Sequence, residues 1–422
     1  MSLPIRHLPV LQSWDCHGCT SCCREFWVYL TDAERERIAK QDWPELAGLP
    51  RVVREGWLSP RYRLHHRPDH RCVFLSDQNR CRIHEKYGAD AKPLACRLYP
   101  FVLVPAGDHW RVSLRYACPS AAKNQGKPLP EHLGDLQRYG RELFDQERLG
   151  DRTLVPPPLQ GRQRVEWIDL FRFADVLVGL MRNRQEPVER RLRKCLALAG
   201  LCRQAQFDEV KGGRLVEFLQ LAAAGLEAEV PANPAALPPP GWVGRVLFRQ
   251  VAAAYLRKDT GPDQGLASRG RLALLRAAWR FARGKGAVPR LHGSFPETTF
   301  EQLEECAGDW NDSAEQVLER YYLVKLGALQ FCGPTNFGLA FWDGLESLAL
   351  TYPIVRWLAR AFAGQSPEAV AIRAVGIVDN NFGFSPLLSA RRQRWWLRLL
   401  GRRRETERLI GWYGRESPCK GR

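Results

Sequence analysis

The chain has 422 residues, of which 45% are hydrophobic and 26% are charged, and its formal net charge at pH 7 is +17. This composition excludes a wholly disordered protein, and the length predicts roughly two or three domains. We find no window of about 18 apolar residues and therefore expect no membrane-spanning helix. The N-terminal residues lack the pattern of a secretory signal, so we expect a reducing, cytoplasmic location.

A dense group of thiols follows the first residues of the chain. Cys16, Cys19, Cys22 and Cys23 form a C-x2-C-x2-C-C motif. Cysteines that only pack are usually scattered, and disulfides are rare in a reducing compartment, so the motif favours metal binding over both alternatives. The spacing is typical of iron–sulfur loops, while paired C-x2-C units are also typical of zinc sites. We expect the adjacent Cys22 and Cys23 side chains to diverge, which favours a polynuclear centre or two neighbouring sites.

Short strands and one helix are predicted between this motif and residue 120. Residues 24–31 predict a strand, and Thr31 with Glu34 predicts a capping box that begins a helix. Residues 72–75 and 81–84 predict a short hairpin around a turn at 76–79. Residues 101–105 and 110–116 predict a second hairpin.

The candidate metal ligands are eight cysteines at strand or turn edges, from which they can face a shared centre. Eight thiols exceed the four ligands of one zinc ion or one [4Fe–4S] cluster, so we expect two sites, one site with spare thiols, or a redox pair among them. His17 and His84 are better placed as partners of ligands than as ligands. The eight candidates are Cys16, Cys19, Cys22, Cys23, Cys72, Cys81, Cys96 and Cys118.

The order of these motifs resembles a known family. The C-x2-C-x2-C-C motif, Cys72-Val73-Phe74-Leu75, Cys81-Arg82-Ile83-His84 and Pro93-Leu94-Ala95-Cys96-Arg97-Leu98-Tyr99-Pro100 together resemble the YkgJ-type cysteine-cluster family of zinc- or iron-chelating domains, over about residues 14–120. That family includes flagellin lysine-N-methylases, and Arg115-Tyr116-Ala117-Cys118-Pro119 resembles its longer, methylase-type members.

The resemblance implies an iron–sulfur cluster or zinc as cofactor, S-adenosylmethionine as methyl donor and a flagellin-like protein substrate. The residues themselves identify no catalytic base and no glycine-rich loop of the Rossmann type. Arg97 and Tyr99 would place a charge and a hydroxyl near the cluster, or Tyr99 would simply pack against the second hairpin. The competing hypothesis is a non-catalytic, metal-stabilised binding protein.

The remainder of the chain has helical periodicity. We predict a mainly α fold, in which a small N-terminal α+β cysteine-cluster module with short hairpins precedes an all-α region. Proline-rich spacers suggest units at 1–122, 123–230, 242–388 and 389–422. Helices are predicted at 129–144, 164–184, 187–205, 243–256, 269–282, 297–306, 313–326 and 342–362, the last interrupted at Pro353.

The C-terminal end carries much of the positive charge. Residues 389–422 contain eleven Lys and Arg residues and three Glu residues, a net charge of +8. Within them, residues 389–408 interleave arginines with Trp395, Trp396 and leucines, which predicts a basic amphipathic helix. Such a helix can bind an anionic membrane, nucleic acid or an acidic protein, or its tryptophans can dock on the protein's own domain.

Overall fold

The computed structural model describes residues 2–57, 59–207, 209–258, 261, 265–292, 295–304, 310–362 and 364–415. Helices dominate the fold, and three small sheets lie within residues 5–128. This arrangement confirms the predicted mainly α class with a small α+β module at the N-terminal end. In the part of the chain that the structure describes, no helix combines the length and the apolar character needed to span a bilayer.

Three small sheets organise the N-terminal region. In the first, β7 pairs with β1 in parallel and with β6 antiparallel. In the second, β2 pairs with β8, and in the third, β5 lies between β3 and β4. The strands are β1 (Ile5–His7), β2 (Ser13–Trp14), β3 (Tyr29–Leu30), β4 (Val52–Glu55), β5 (Arg61–Leu64), β6 (Phe101–Ala106), β7 (His109–Leu114) and β8 (Lys127–Pro128).

Short helices carry the cysteine motifs, and longer helices follow. Those before residue 125 are α1 (Ser21–Glu25), α2 (Asp32–Ala39), α3 (Arg82–Tyr87), α4 (Leu94–Leu98) and α5 (Pro119–Ala122). The later helices are α6 (Leu133–Gln146), α7 (Trp167–Met181), α8 (Val188–Cys202), α9 (Gly212–Glu229), α10 (Trp242–Leu256), α11 (Arg271–Arg283), α12 (Phe300–Glu304), α13 (Asp312–Gly327), α14 (Phe341–Ala349), α15 (Thr351–Ala359), α16 (Pro367–Asn381), α17 (Arg391–Arg402) and α18 (Glu405–Gly414).

The second predicted hairpin is confirmed, and the first is confirmed only at its turn. Strands β6 and β7 are joined by a tight turn in which Gly107 has a φ of +67°, a conformation that glycine adopts without strain. In the first hairpin, Leu75 and Cys81 form an isolated bridge. Neither predicted arm is a strand. Residues 73–74 form a turn between two isolated bridges, and the residues after Cys81 begin α3.

The beginning of the chain also departs from the predicted pattern. The strand predicted at 24–31 is limited to Tyr29–Leu30, because residues 21–25 form α1 instead. The capping box is confirmed: the Thr31 hydroxyl accepts a hydrogen bond from the Glu34 amide, and the Glu34 carboxylate accepts one from the Thr31 amide.

Two hydrophobic cores of unequal size hold these elements. A small core lies around Trp43, Phe74 and Ile83, and also contains Cys72. A large core extends from Phe101 in β6 to Tyr413 in α18, so the second hairpin packs with the helical region. The small core therefore gains less stability from apolar burial than the large one does.

Several helical predictions need adjustment. The predicted helix at 342–362 breaks at Leu350 rather than at Pro353, which lies in the first turn of α15, where a proline displaces no hydrogen bond. Helices α9 and α16 were not predicted. The helix predicted at 297–306 is the shorter α12, and Cys306 lies outside the described residues.

The basic C-terminal stretch folds as two helices on the large core. Leu397 and Leu400 of α17 are buried, while the Trp395 side chain remains 60% exposed. Leu409, Ile410 and Tyr413 of α18 are also buried. The division of the chain into the four predicted units stays a prediction.

Candidate metal centre

The C-x2-C-x2-C-C motif is shaped by two residues with left-handed backbone. Gly18 has a φ of +65° and Thr20 a φ of +63°. The chain then enters α1, whose first turn contains Cys22 and Cys23. Cys16 and Cys19 precede the turn and are exposed, whereas Cys22 and Cys23 are half-buried. The four thiols of the motif therefore lie in two different environments.

The Cys22 and Cys23 side chains lie side by side. Their Sγ atoms are 3.9 Å apart. A tetrahedral zinc ion with Zn–S bonds of about 2.3 Å holds two sulfur ligands about 3.8 Å apart. The expectation that these two side chains diverge is therefore wrong, and both thiols are spaced as ligands of a single ion would be.

The later cysteines approach this pair through the backbone and through the small core. The Cys72 amide donates a 2.8 Å hydrogen bond to the Cys23 carbonyl. Cys23, Cys81 and Cys96 are partly buried against the same small core that contains Cys72. Four thiols that are distant in the sequence are thus gathered in one part of the fold, beside Cys22.

The pKa shifts of these thiols also show that they are neighbours. The pKa of Cys96 is raised to about 12, mainly by burial and with smaller contributions from Cys81 and Cys22, while Lys92 opposes the shift. Burial also raises the pKa of Cys72, and Cys96, Cys81 and Cys22 add to that increase. The contact with Cys23, followed by burial, raises the pKa of Cys22. A bound cation would favour the thiolates that this environment otherwise keeps protonated.

Cys118 lies on a second side of the motif. It is buried at the residue that precedes α5, and burial raises its pKa, with a smaller contribution from Cys19. Near it, the Nδ1 atom of exposed His17 lies 3.1 Å from the Ser120 hydroxyl oxygen. The N-terminal half of the motif therefore faces Cys118, while its C-terminal half faces the small core.

Tyr99 lies between these two sides. Burial is the main cause of its raised pKa, and Cys118 and Cys22 both contribute. Its hydroxyl is buried with no hydrogen-bond partner, and its ring packs 5.3 Å from that of Phe26. The sequence motif around Tyr99 drew attention to this residue, although it did not indicate that the hydroxyl lacks a partner.

Two other candidate residues, Arg97 and His84, have surroundings of their own. The Arg97 guanidinium forms a paired contact with Glu142, at 2.8 and 2.5 Å. His84 is exposed on α3. Sequence reasoning missed Lys92, whose positive charge acts to lower the pKa of both Cys22 and Cys96. A lone lysine in a loop has no distinguishing pattern.

The thiols are neighbours without forming a complete coordination shell. Within the described ranges, no three or more His, Cys, Asp or Glu side chains converge closely enough to hold a metal ion. The chemistry of the neighbourhood nevertheless fits a soft metal, because its donors are thiols and zinc and iron–sulfur clusters both prefer thiolate ligands. Cys22 and Cys23 already lie at the spacing of two ligands of one ion.

Comparison with known proteins agrees with this chemistry. Residues 15–124 match the model of the family named CxxCxxCC, described as "Putative zinc- or iron-chelating domain". No curated protein matches the chain, and no solved structure matches it. Over residues 15–124 this chain is therefore similar to the CxxCxxCC family, and the family's description names the metals that thiol ligands favour.

Proposed function

We propose that residues 15–124 bind one zinc ion through cysteine thiolates and that this ion stabilises the N-terminal module. The ligands would come from Cys22, Cys23, Cys72, Cys81 and Cys96. The 3.9 Å separation of the Cys22 and Cys23 sulfur atoms carries the proposal, because it matches the spacing of two ligands on one tetrahedral ion. An iron–sulfur cluster is the alternative occupant of the same thiols.

The small core explains why a metal would matter here. Its helices are short, and the cysteines lie on separate segments: Cys22 on α1, Cys96 on α4 and Cys81 immediately before α3. A metal bound by these residues would cross-link the segments as a disulfide does in a secreted domain, and its binding free energy would become folding free energy. Three thiols, those of Cys16, Cys19 and Cys118, would then remain free to bind a second ion.

A matched pair of variants tests the metal site. The protein is expressed without a tag that binds metal, and its zinc and iron contents are measured by plasma mass spectrometry. We expect about one zinc per chain in the parent, and loss of most of it in Cys22→Ser/Cys23→Ser. Cys202→Ala is the control, because Cys202 is a buried thiol in the large core, and this variant should keep its metal.

The metal content also separates the two occupants. Brown protein that contains iron and acid-labile sulfide would mean that the same cysteines hold an iron–sulfur cluster instead of zinc. Protein that contains neither metal after growth in zinc- and iron-supplemented medium would refute the site.

The resemblance to flagellin lysine-N-methylases supports a finer proposal, that the protein transfers a methyl group from S-adenosylmethionine to a protein lysine. The target amine would lose a proton, attack the methyl carbon and release S-adenosylhomocysteine. Incubation with labelled S-adenosylmethionine and a co-expressed flagellin tests this proposal. A labelled lysine supports it, and unlabelled flagellin in the presence of metal-loaded protein contradicts it.

The alternative proposal is a metal-stabilised binding protein that uses its basic C-terminal stretch. In α17, Leu397 and Leu400 face the core, so a partner would contact the arginines and Trp395. Arg398 is partly engaged, at 2.8 Å from Asp343. Binding to anionic vesicles, nucleic acid or an acidic protein that is lost on Arg391→Gln/Arg392→Gln would favour this alternative.

A further inference from the structure

A polar cavity lies in the helical region, apart from the cysteines. It occupies about 510 Å³ between the start of α8, the start of α13, α15 and the residues that follow α18. Small-molecule sites typically measure about 300–1,000 Å³. The residues on which its chemistry depends are Arg191, Trp310, Asp312, Glu315, Arg356 and Arg415.

Arg356 is a buried cation without a carboxylate partner. Its side chain is 1% exposed, and its Nε atom donates a hydrogen bond to the Tyr413 carbonyl at 3.1 Å. Its Nη1 atom has no hydrogen-bond partner. Among the described residues, no carboxylate lies within 4.0 Å of the guanidinium, which instead lies 4.3 Å from the centre of the Trp310 ring. A buried charge of this kind is costly unless an anion accompanies it.

Further N–H donors around the cavity are also unused. The Nε atom of Arg191, the indole Nε1 atom of Trp310 and the Nε atom of Arg415 are buried without a hydrogen-bond partner. Arg191 is otherwise engaged, since its Nη1 atom lies 2.9 Å from Glu319. Together with Arg356, these residues line one cavity, and their N–H groups are of the kind that binds an anionic group such as a carboxylate.

Two carboxylates on the cavity wall form no direct ion pair. In the described part of the chain, neither exposed Asp312 nor half-buried Glu315 has a basic side chain within 4.0 Å. Burial raises the pKa of Glu315, and the hydrogen bond from the Val188 amide and the charges of Arg356 and Arg191 only partly oppose that shift. The other acidic wall residues are occupied: Glu189 pairs with Arg193 at 2.5 Å, and Glu186 with Lys194 at 2.5 Å. The cavity therefore presents groups of both charge signs, Arg356 on one side and Glu315 and Asp312 on the other, that form no direct ion pair with one another.

We propose that this cavity binds a small zwitterion that carries an α-amino-acid group. The ligand's carboxylate would bind Arg356 and the neighbouring N–H donors, and its ammonium group would bind Glu315 and Asp312. Such a ligand neutralises the unpaired cation and the unpaired carboxylates at the same time. Free α-amino acids and S-adenosylmethionine both carry this group, so the two sources need to be distinguished by experiment. The inference does not rest on the proposed metal site.

Calorimetric titration of the full-length protein tests the inference. Each of the common L-amino acids is titrated separately at millimolar concentration, and S-adenosylmethionine is titrated in parallel. We expect saturable binding of one molecule per chain by at least one of these probes. If a free amino acid binds and S-adenosylmethionine does not, the site is for a free amino acid. If S-adenosylmethionine binds and no free amino acid does, the site is for the methyl donor.

Variants then locate the binding. Arg356→Met removes the buried cation, and Glu315→Gln and Arg415→Gln are milder changes in case Arg356→Met does not fold. Each folded variant should weaken binding roughly tenfold or more, because each removes a charged hydrogen bond. Arg403→Gln and Glu217→Gln carry the same charge changes on exposed residues outside the cavity and should bind as the parent does.

Two results would overturn the inference. The first is the absence of saturable heat with every amino acid and with S-adenosylmethionine. The second is binding that Glu315→Gln and Arg415→Gln leave unchanged. Retained binding in Cys22→Ser/Cys23→Ser would additionally show that the cavity acts independently of the metal.

Discussion

The carboxylate of Asp379 lies 2.6 Å from the ammonium group of Lys325, and both side chains are completely buried. The same carboxylate accepts a 2.6 Å hydrogen bond from the Tyr116 amide and a 3.2 Å one from the Ala117 amide. Lys325 in turn donates to the Leu114 carbonyl at 2.9 Å. This ion pair therefore connects α13 and α16 of the helical region to the segment that leads from β7 to Cys118.

Breaking this pair should destabilise the large core. In Asp379→Asn the amide oxygen can still accept from Tyr116, but Lys325 becomes a buried charge without a counter-ion. We expect a loss of roughly 3–5 kcal/mol in the free energy of unfolding, measured by urea denaturation. Asp145→Asn, the same change at an exposed position on α6, should cost no more than about 0.5 kcal/mol. Equal stability of the two variants would show that the pair contributes little.

Metal removal should act on the small core before the large one. The small core has few buried apolar residues and its helices are short, whereas the large core spans most of the helical region. We expect a chelator to increase proteolytic cleavage within about residues 15–95 and to leave the helical fragment intact, because structural metal ions supply folding free energy. Mass spectrometry of the fragments measures the effect.

The corresponding control is genetic. Cys22→Ser/Cys23→Ser should show the same cleavage without chelator and should gain no further cleavage when chelator is added. Simultaneous loss of the helical fragment would mean that the two cores unfold together, which would contradict separate stabilisation.

Glu34 should position a ligand that it does not itself touch. Its Oε2 atom accepts from the Thr31 amide at 2.9 Å, and its Oε1 atom accepts from the Leu94 amide at 2.7 Å, at the start of the helix that carries Cys96. Glu34→Ala removes both contacts and should reduce zinc affinity about tenfold, as the loss of an indirect partner often does. Competition with a chromophoric chelator measures the affinity.

Two further variants identify the cause of that loss. Asp32→Ala removes an exposed acidic residue from the same helical turn and should leave zinc affinity unchanged. Glu34→Gln retains an acceptor oxygen and should recover part of the affinity. A Glu34→Ala variant that binds zinc as tightly as the parent would show that Cys96 is not a ligand or needs no such support.

Local signals predicted much of the N-terminal module. The capping box depends on Thr31 and Glu34, which are only three residues apart. The second hairpin depends on its turn and the strands beside it. Both features can therefore be predicted from local sequence. Cysteine spacing indicated metal chemistry for the same reason. The first hairpin is correct only at its turn, because residues 73–74 turn instead of extending and the residues after Cys81, which suit either a strand or a helix, form α3.

Long-range relationships were not predictable from these signals. No pattern near Asp379 indicates that it binds the amides of Tyr116 and Ala117, since the contact is created by packing of α16. The same holds for Arg356, whose position on the periodic helix α15 predicts neither its burial nor its missing counter-ion. The side-by-side arrangement of Cys22 and Cys23 depends on side-chain rotamers, which spacing alone does not determine.

Glu346 should make stability depend on pH near neutrality. It is 5% exposed, and burial raises its pKa to about 7, although Arg203 at 3.7 Å partly opposes the shift. Between the ordinary carboxyl pKa of 4.5 and about 7, the folded protein retains a proton that the unfolded chain has lost. The contribution of Glu346 is therefore most favourable below pH 4.5 and decreases as pH rises through 7.

A variant without this ionisation isolates the effect. Glu346→Gln should gain stability relative to the parent between about pH 5 and pH 8, by up to about 3 kcal/mol, because one pKa unit corresponds to about 1.4 kcal/mol. Urea denaturation of both proteins at the two pH values measures the difference, and Glu217→Gln at an exposed position on α9 should show no such trend. A Glu346→Gln effect that is the same at both pH values would mean that Glu346 is already ionised in the folded protein at pH 5, and that Arg203 compensates its burial more fully than the 3.7 Å separation suggests.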